Sequence, residues 1–232
     1  MSLMQLSALL HLVDPTLPIG GFNHSGGLET FVQQQRVHDA DSLSDYVHEQ
    51  LLQNWVYNDG AFMSLAYDAA QTGDWQRLAM LDAQLGASKT AREIRDASQK
   101  LGVRLLKIFS RFQPLESNQL IAQLNSQVIE GKIKGYYPIV FAVIAVSEGI
   151  AKAEALLALY YNLAVGAVTN GVKLIPLSQM AGQDMLFALR AVMNQAVSLS
   201  LQVDETMLGA CMVASDIRCM QHERLYTRLY MS

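Results

Sequence analysis

Apolar side chains recur at helical spacing along nearly the whole chain, and few segments alternate apolar and polar residues. That pattern predicts helix after helix. Leu3, Leu6, Leu10 and Val13 mark a first short helix stopping at Asp14-Pro15, and Leu28 to Arg36 reads as a second. Ser42 and Asp45 form a capping-box-like start before Tyr46, Val47, Leu51, Trp55 and Val56. A helix from about Ala61 to Ala70 breaks at Gly73, and Asp74 is placed to cap the next, Trp75 to Leu85. Asp59-Gly60 sits between these helical patterns, so it does not read as a hairpin turn. The most amphipathic segment is Ser88 to Phe112, with an apolar stripe (Leu101, Leu105, Ile108, Phe112) beside a basic one (Lys100, Arg104, Lys107, Arg111). Pro114 ends it and Glu116 to Glu130 follows. After a glycine- and tyrosine-containing loop, Pro138 to Glu148 and Ala151 to Lys173 are apolar helices, the second predicted to be central. Gln183 to Gln202 is helical, and Asp204 is placed to cap a last helix reaching towards Arg218. The predicted class is all-α, a single globular domain over residues 1–232 with about ten helices.

One segment breaks the pattern. Leu17-Pro18-Ile19-Gly20-Gly21-Phe22-Asn23-His24-Ser25-Gly26-Gly27-Leu28-Glu29 carries four glycines in thirteen residues. Glycine costs backbone entropy on ordering and is favoured where φ is positive or another backbone comes close. Phe22 and Leu28 offer apolar anchors, and His24, Ser25 and Glu29 offer polar groups. The stretch reads as a shaped loop built to be touched, by a substrate or by another protein.

Composition narrows the choice. The chain is 51% hydrophobic and 16% charged, against about 25% charged in average domains. The excess points to apolar surface covered by a partner or a second copy. A net charge of -4 and a pI near 5.7 disfavour nucleic acid as the main ligand. The start lacks the basic residues and small-residue cleavage site of a secretory signal, and the longest uncharged apolar run, Pro138 to Val146, is nine residues. A cytoplasmic protein without a membrane span is expected.

Catalytic signatures fail on inspection. Ala83 to Thr90 ends in Lys89-Thr90, but Ala83 and Ser88 occupy the glycine positions of a phosphate loop. Asn23-His24-Ser25-Gly26-Gly27 misses a serine nucleophile elbow by one residue and follows no predicted strand. His11, His24, His38, His48 and His222 form no chelating pair, and Cys211 and Cys219 are eight apart and read as small buried residues. No cofactor, metal site or catalytic set is indicated. The basic stripe reads first as a solvated face, its alternative being a match for an acidic patch on a partner. The C-terminal stretch, Gln221 to Ser232, mixes cations with large amphipathic residues of the kind enriched at interfaces. It is expected to be a docking tail that orders on contact.

Four motifs in order then resemble one family, the urease accessory protein F family. Leu17 to Glu29 is similar to its L-P-[IV]-G-x-[FY]-x-[YH]-S-x-G-L-E pattern. Glu93, Arg95, Gln99 and Gly102 resemble its E-x-R and Q-x-x-G, and Leu174 to Gln179 its [LV]-[IV]-P-L-[GS]-Q. His222-Glu223 and Arg228-Leu229-Tyr230-Met231-Ser232 resemble its H-E…R-L-[FY]-x-S ending. His24 and Ser178 stand where many members have Tyr and Gly. The resemblance covers essentially the whole chain. It implies an all-α homodimeric maturation factor, not an enzyme, within a nickel-delivery complex. Such a factor binds the D- or H-type accessory protein and recruits the G-type GTPase, which carries nickel to apo-urease. The resemblance also implies partner-binding roles for Pro18, Gly20, Phe22, His24, Ser25, Gly27, Leu28, Glu29, Glu93, Arg95, Gln179, His222, Arg228, Leu229 and Tyr230. The alternative is a regulator of the partner's GTP hydrolysis, with Gln179, Arg92 or Arg95 placed in trans. A hydrolase using Ser25 is a distant third.

Overall fold

A computed structural model describes residues 1–112, 118–210 and 212–232, and of Phe22 the backbone alone. Among these residues there are twelve α-helical segments and no β-strand. They are α1 (Leu3–Leu12), α2 (Leu28–Gln33), α3 (Ala40–Glu49), α4 (Ala61–Thr72), α5 (Trp75–Ser88), α6 (Arg92–Phe112), α7 (Gln119–Ile129), α8 (Tyr137–Ser147), α9 (Lys152–Leu174), α10 (Gln179–Ala188), α11 (Arg190–Leu201) and α12 (Val213–His222). The all-α class holds, with more segments than the expected ten.

Several boundaries differ from the sequence reading, each for a local reason. The cap of α3 is Asp39, not Ser42: its carboxylate accepts from the Ser42 amide at 2.9 Å, and Ser42 completes the box. Asp59-Gly60 interrupts nothing, because α3 runs through a π-helical segment, Gln50–Gly60, into α4 as one rod. The predicted helix from Gln183 to Gln202 begins earlier, where Ser178 caps α10 by accepting from the Ala181 amide at 3.1 Å, and breaks at Leu189. Asp204 caps only a short 3-10 turn, Glu205–Met207. Asp74 caps α5 as expected. The expected stop at Pro114, the expected start at Glu116, and Cys211 lie outside the described residues.

The enclosed helix is α8 rather than α9. Tyr137 through Ala145 are all buried, as an all-round apolar helix requires, and α8 packs against α4, α6, α7 and α9. Each fully buried Val, Ile or Phe there contributes about 1.5–3 kcal/mol relative to exposure. By length and composition α9 could cross a bilayer, yet half of its most apolar stretch is buried in the bundle. Leu157 and Tyr161 on its other side are exposed. Most of the apolar positions that mark α1 face outward: Leu3, Leu6 and Leu10 are exposed, as is Met4, and Leu12 is the buried residue of that helix.

Two devices bring α6 onto α8. A Cβ at Gly102 would clash with the Gly135 carbonyl oxygen, so the Q-x-x-G pattern is a close-approach site for backbone. Gln99 adds a bond from its side-chain amide to the Lys134 carbonyl at 3.3 Å. The buried Asp82 carboxylate then accepts the amides of Lys134, Gly135 and Tyr136 at 2.6, 3.2 and 3.0 Å, tying the turn before α8 to α5. Asp82→Ala orphans three amides, and one orphaned buried donor costs about 1–3 kcal/mol. We expect a loss of at least about 3 kcal/mol in urea denaturation, with far-ultraviolet circular dichroism retained.

Candidate functional site

The glycine loop, α2, the start of α6 and the C-terminal segment converge on one carboxylate. The chain enters α2 through Gly27, whose φ is +86° and where a Cβ would lie 2.6 Å from the Cys219 sulfur. Only glycine permits both that backbone turn and the contact between α2 and α12. Two residues on, Glu29 is 3% exposed. Its Oε1 accepts the Leu229 amide at 2.8 Å, and its Oε2 accepts the Tyr230 amide at 3.2 Å. His222 is fully buried with its ring between two carboxylates, Nε2 at 3.1 Å from Glu29 Oε2 and Nδ1 at 2.7 Å from Glu93 Oε2. Each ring nitrogen therefore faces one glutamate oxygen. The second oxygen of Glu93 accepts from Arg228 Nη1 at 2.7 Å. Glu29, His222, Glu93 and Arg228 thus form one continuous hydrogen-bonded network.

Further bonds fasten the same two segments. The Met231 amide donates to the Asn23 carbonyl at 2.8 Å. The Ser25 hydroxyl and amide both donate to the Ser232 carbonyl, the hydroxyl at 2.7 Å, and His24 Nδ1 lies 2.8 Å from Ser232 Oγ. With its proton given to a carbonyl and, among the described residues, no base hydrogen-bonded to it, the Ser25 hydroxyl serves as a structural donor. Gln33 donates to the Thr227 carbonyl at 3.0 Å, and Asn170 of α9 donates to the His24 carbonyl at 2.7 Å. The segment expected to order on meeting a partner is therefore seated on its own chain, with Tyr226 and Leu229 left exposed.

Most of the residues singled out from sequence meet here, in different capacities. Leu28, Glu29, Ser25 and His222 are buried and shape the face from beneath, while Pro18, Arg228 and Leu229 are on its surface. Gly20 and the backbone of Phe22 belong to the turn that carries His24. Arg95 points elsewhere: it donates to the Lys89 carbonyl at 2.9 Å and pins the α5–α6 junction. Gln179 stands exposed on the first turn of α10, apart from this network. Arg92 is paired with Glu223 at 2.8 Å. Sequence reasoning missed Asn170 and Gln33; a buried amide within the apolar run of α9 was the available signal for the first.

Behind the loop lies a cavity of about 250 Å³ reaching from Ser25 to Asp59 and Lys89. Lys89 Nζ sits 3.0 Å from Asp59 Oδ1, both largely buried, which accounts for the lysine that imitated a phosphate loop. Burial pushes the Cys219 thiol on the cavity wall up to about 12, so it is an inert sulfhydryl. Among the described residues no group of three or more His, Cys, Asp or Glu is placed to hold a metal.

The comparisons with known proteins show the family. The sequence pattern of the UreF family matches residues 37–190, well over half of the chain. The chain belongs to the UreF family. It is 62% identical over 231 residues to the urease accessory protein UreF of Haemophilus influenzae strain PittEE, covering all of this chain and 97% of that one. It is likewise 62% identical over 228 residues to UreF of Actinobacillus pleuropneumoniae serotype 5b, covering 98% and 99%. A more distant UreF, from Bacillus sp. strain TB-90, is 31% identical over 228 residues, with the same coverage. The UreF pattern stops short of both the glycine loop and the tail, whereas the H. influenzae relative spans both.

Removing the central carboxylate tests the network. Glu29→Ala leaves His222 and two amides without their acceptor, and breaking a buried ion pair typically costs about 3–5 kcal/mol. Urea denaturation should show a loss of that order, with faster tryptic cleavage at Arg224 and Arg228. A second expectation concerns pH. Burial, reinforced by Lys100 and Arg104, holds the His24 ring below its ordinary value near 6.5. The folded state disfavours that proton, so the contribution is present above the ordinary value and lost as pH falls below it. Between about pH 7.5 and about pH 5.5 the wild type should lose more stability than His24→Asn.

Proposed function

We propose that this chain is a non-catalytic adaptor of urease maturation, working through the surface that the loop and tail build together. The D- or H-type accessory protein binds the adaptor, and the complex recruits the G-type GTPase to apo-urease for nickel insertion. The adaptor acts as a cytoplasmic homodimer and as a single folded domain. The observation that carries this reading is the loop–tail network itself. A network of Glu29, His222, Glu93 and Arg228, buried at Glu29 and His222, holds the irregular tail that follows α12 and presents Tyr226 and Leu229 to solvent. A fold has little use for such a cluster around an exposed tail unless the tail's shape is read by something else. Exposed apolar residues on α1 (Leu3, Met4) and α10 (Met180, Phe187) add surface for further contacts. The family relationship supports the assignment to urease maturation.

Deleting residues 228–232, or making Arg228→Ala, should leave the helical circular dichroism spectrum unchanged. Co-purification of the D- or H-type accessory protein, the GTPase, or both should fall at least about tenfold, since truncating one interface anchor typically costs about 2 kcal/mol or more. Undiminished complex formation by both variants would refute the reading.

A further inference from the structure

The basic stripe on α6 is the feature that this function has not used. Lys100, Arg104, Lys107 and Arg111 are all exposed and lie on one face of the helix, spread over about 16 Å of its axis. Among the described residues none of the four forms an ion pair. Four exposed cations in a row with no ion pair among the described residues are conspicuous in a chain of net charge -4.

The stripe is placed along the edge of the loop–tail face. Arg104 Nη1 donates to the Ile19 carbonyl at 3.0 Å. Arg111 shares a surface cleft with Leu17, Pro18 and Phe112. Lys100 and Arg104 are the cations that act on His24, which in turn contacts Ser232. The cationic row therefore runs beside the glycine loop from its proline to its histidine.

The geometry points to a docking surface for an acidic protein surface, continuous with the loop–tail face and belonging to one of the proteins that face engages. The inference rests on the adaptor reading above. Charge complementarity selects the occupant. An anionic membrane is a poor fit, because the apolar side of α6 (Leu105, Leu106, Phe109) is buried in the core and offers nothing to lipid. Duplex nucleic acid is a poor fit because a protein with pI near 5.7 repels it outside this one row. An acidic protein patch needs only local complementarity, and exposed Val103 and Phe112 beside the cations give the mixed character of protein interfaces. Rim charges of this kind act mainly on association rate and its salt dependence.

The test uses the full chain carrying Lys100→Glu and Lys107→Glu together, two exposed residues whose side chains make no hydrogen bond or ion pair among the described residues. Binding kinetics are measured at several salt concentrations against the purified D- or H-type accessory protein, and then with the GTPase added to that complex. The expected result is an association rate at low salt lower by at least about tenfold in one of the two steps. The salt dependence flattens in the same step, with the dissociation rate and melting temperature nearly unchanged. Lys100→Gln with Lys107→Gln should fall between. If the wild type binds both partners and the reversed variant binds them at the same rate and salt slope, the docking surface is refuted while the adaptor reading stands. If the wild type binds neither, both fall. Wild-type binding to phosphatidylserine vesicles or duplex DNA that the reversal abolishes, with protein association untouched, also overturns the inference.

Discussion

The carboxylate of Glu29 is the constraint on which the loop–tail face of this molecule depends. A buried carboxylate must have its oxygens satisfied, and here the donors come from the chain's far end: two tail amides and the His222 ring. Residues 29 and 229 are therefore held together by an electrostatic requirement and not by apolar packing. The tail carries little buried surface of its own, so it follows this cluster. Its backbone direction, and with it the display of Tyr226 and Leu229, is set by where Glu29 and Glu93 stand.

Where they stand is decided by the helical frame. Gly27 lets α2 begin against α12, and Gly102 lets α6 press onto the turn before α8. Asp82 gathers three amides of that same turn. These contacts involve backbone atoms at close approach, so they tolerate little drift. Interiors packed this tightly transmit displacement instead of absorbing it, so motif residues far from the surface are mechanically tied to exposed ones. Gln99 and Gly102 fix α6, α6 positions Glu93, and Glu93 holds both His222 and Arg228.

The sequence made the helices legible because a period of 3.6 is written in the apolar positions, and it made the loop legible because glycine clusters have few other uses. It concealed which apolar faces are covered. The spacing of Leu3, Leu6 and Leu10 gives a helix, yet nothing local says whether its apolar side meets this chain or another, and the structure leaves Leu3 and Leu10 exposed. Enclosure of α8 rather than α9 depends on long-range neighbours that periodicity cannot name. The same limit hid the rod from α3 to α4, where Asp59-Gly60 sits between two separately read helical patterns. Asp59 is instead held by Lys89 across the cavity. The site was half legible. Residue types and motif order pointed to both segments, but not to their meeting at Glu29, which joins positions two hundred residues apart.

A double-mutant cycle on Glu93 and Arg228 addresses most directly the claim that loop and tail act as one unit. Glu93→Gln and Arg228→Gln, singly and combined, would be compared in affinity for the D- or H-type accessory protein. If the network presents the tail as a whole, the combined variant binds little worse than the weaker single one, a coupling of at least about 1 kcal/mol. Losses that simply add, within about 0.5 kcal/mol, would mean that each side chain meets the partner independently, contradicting the account.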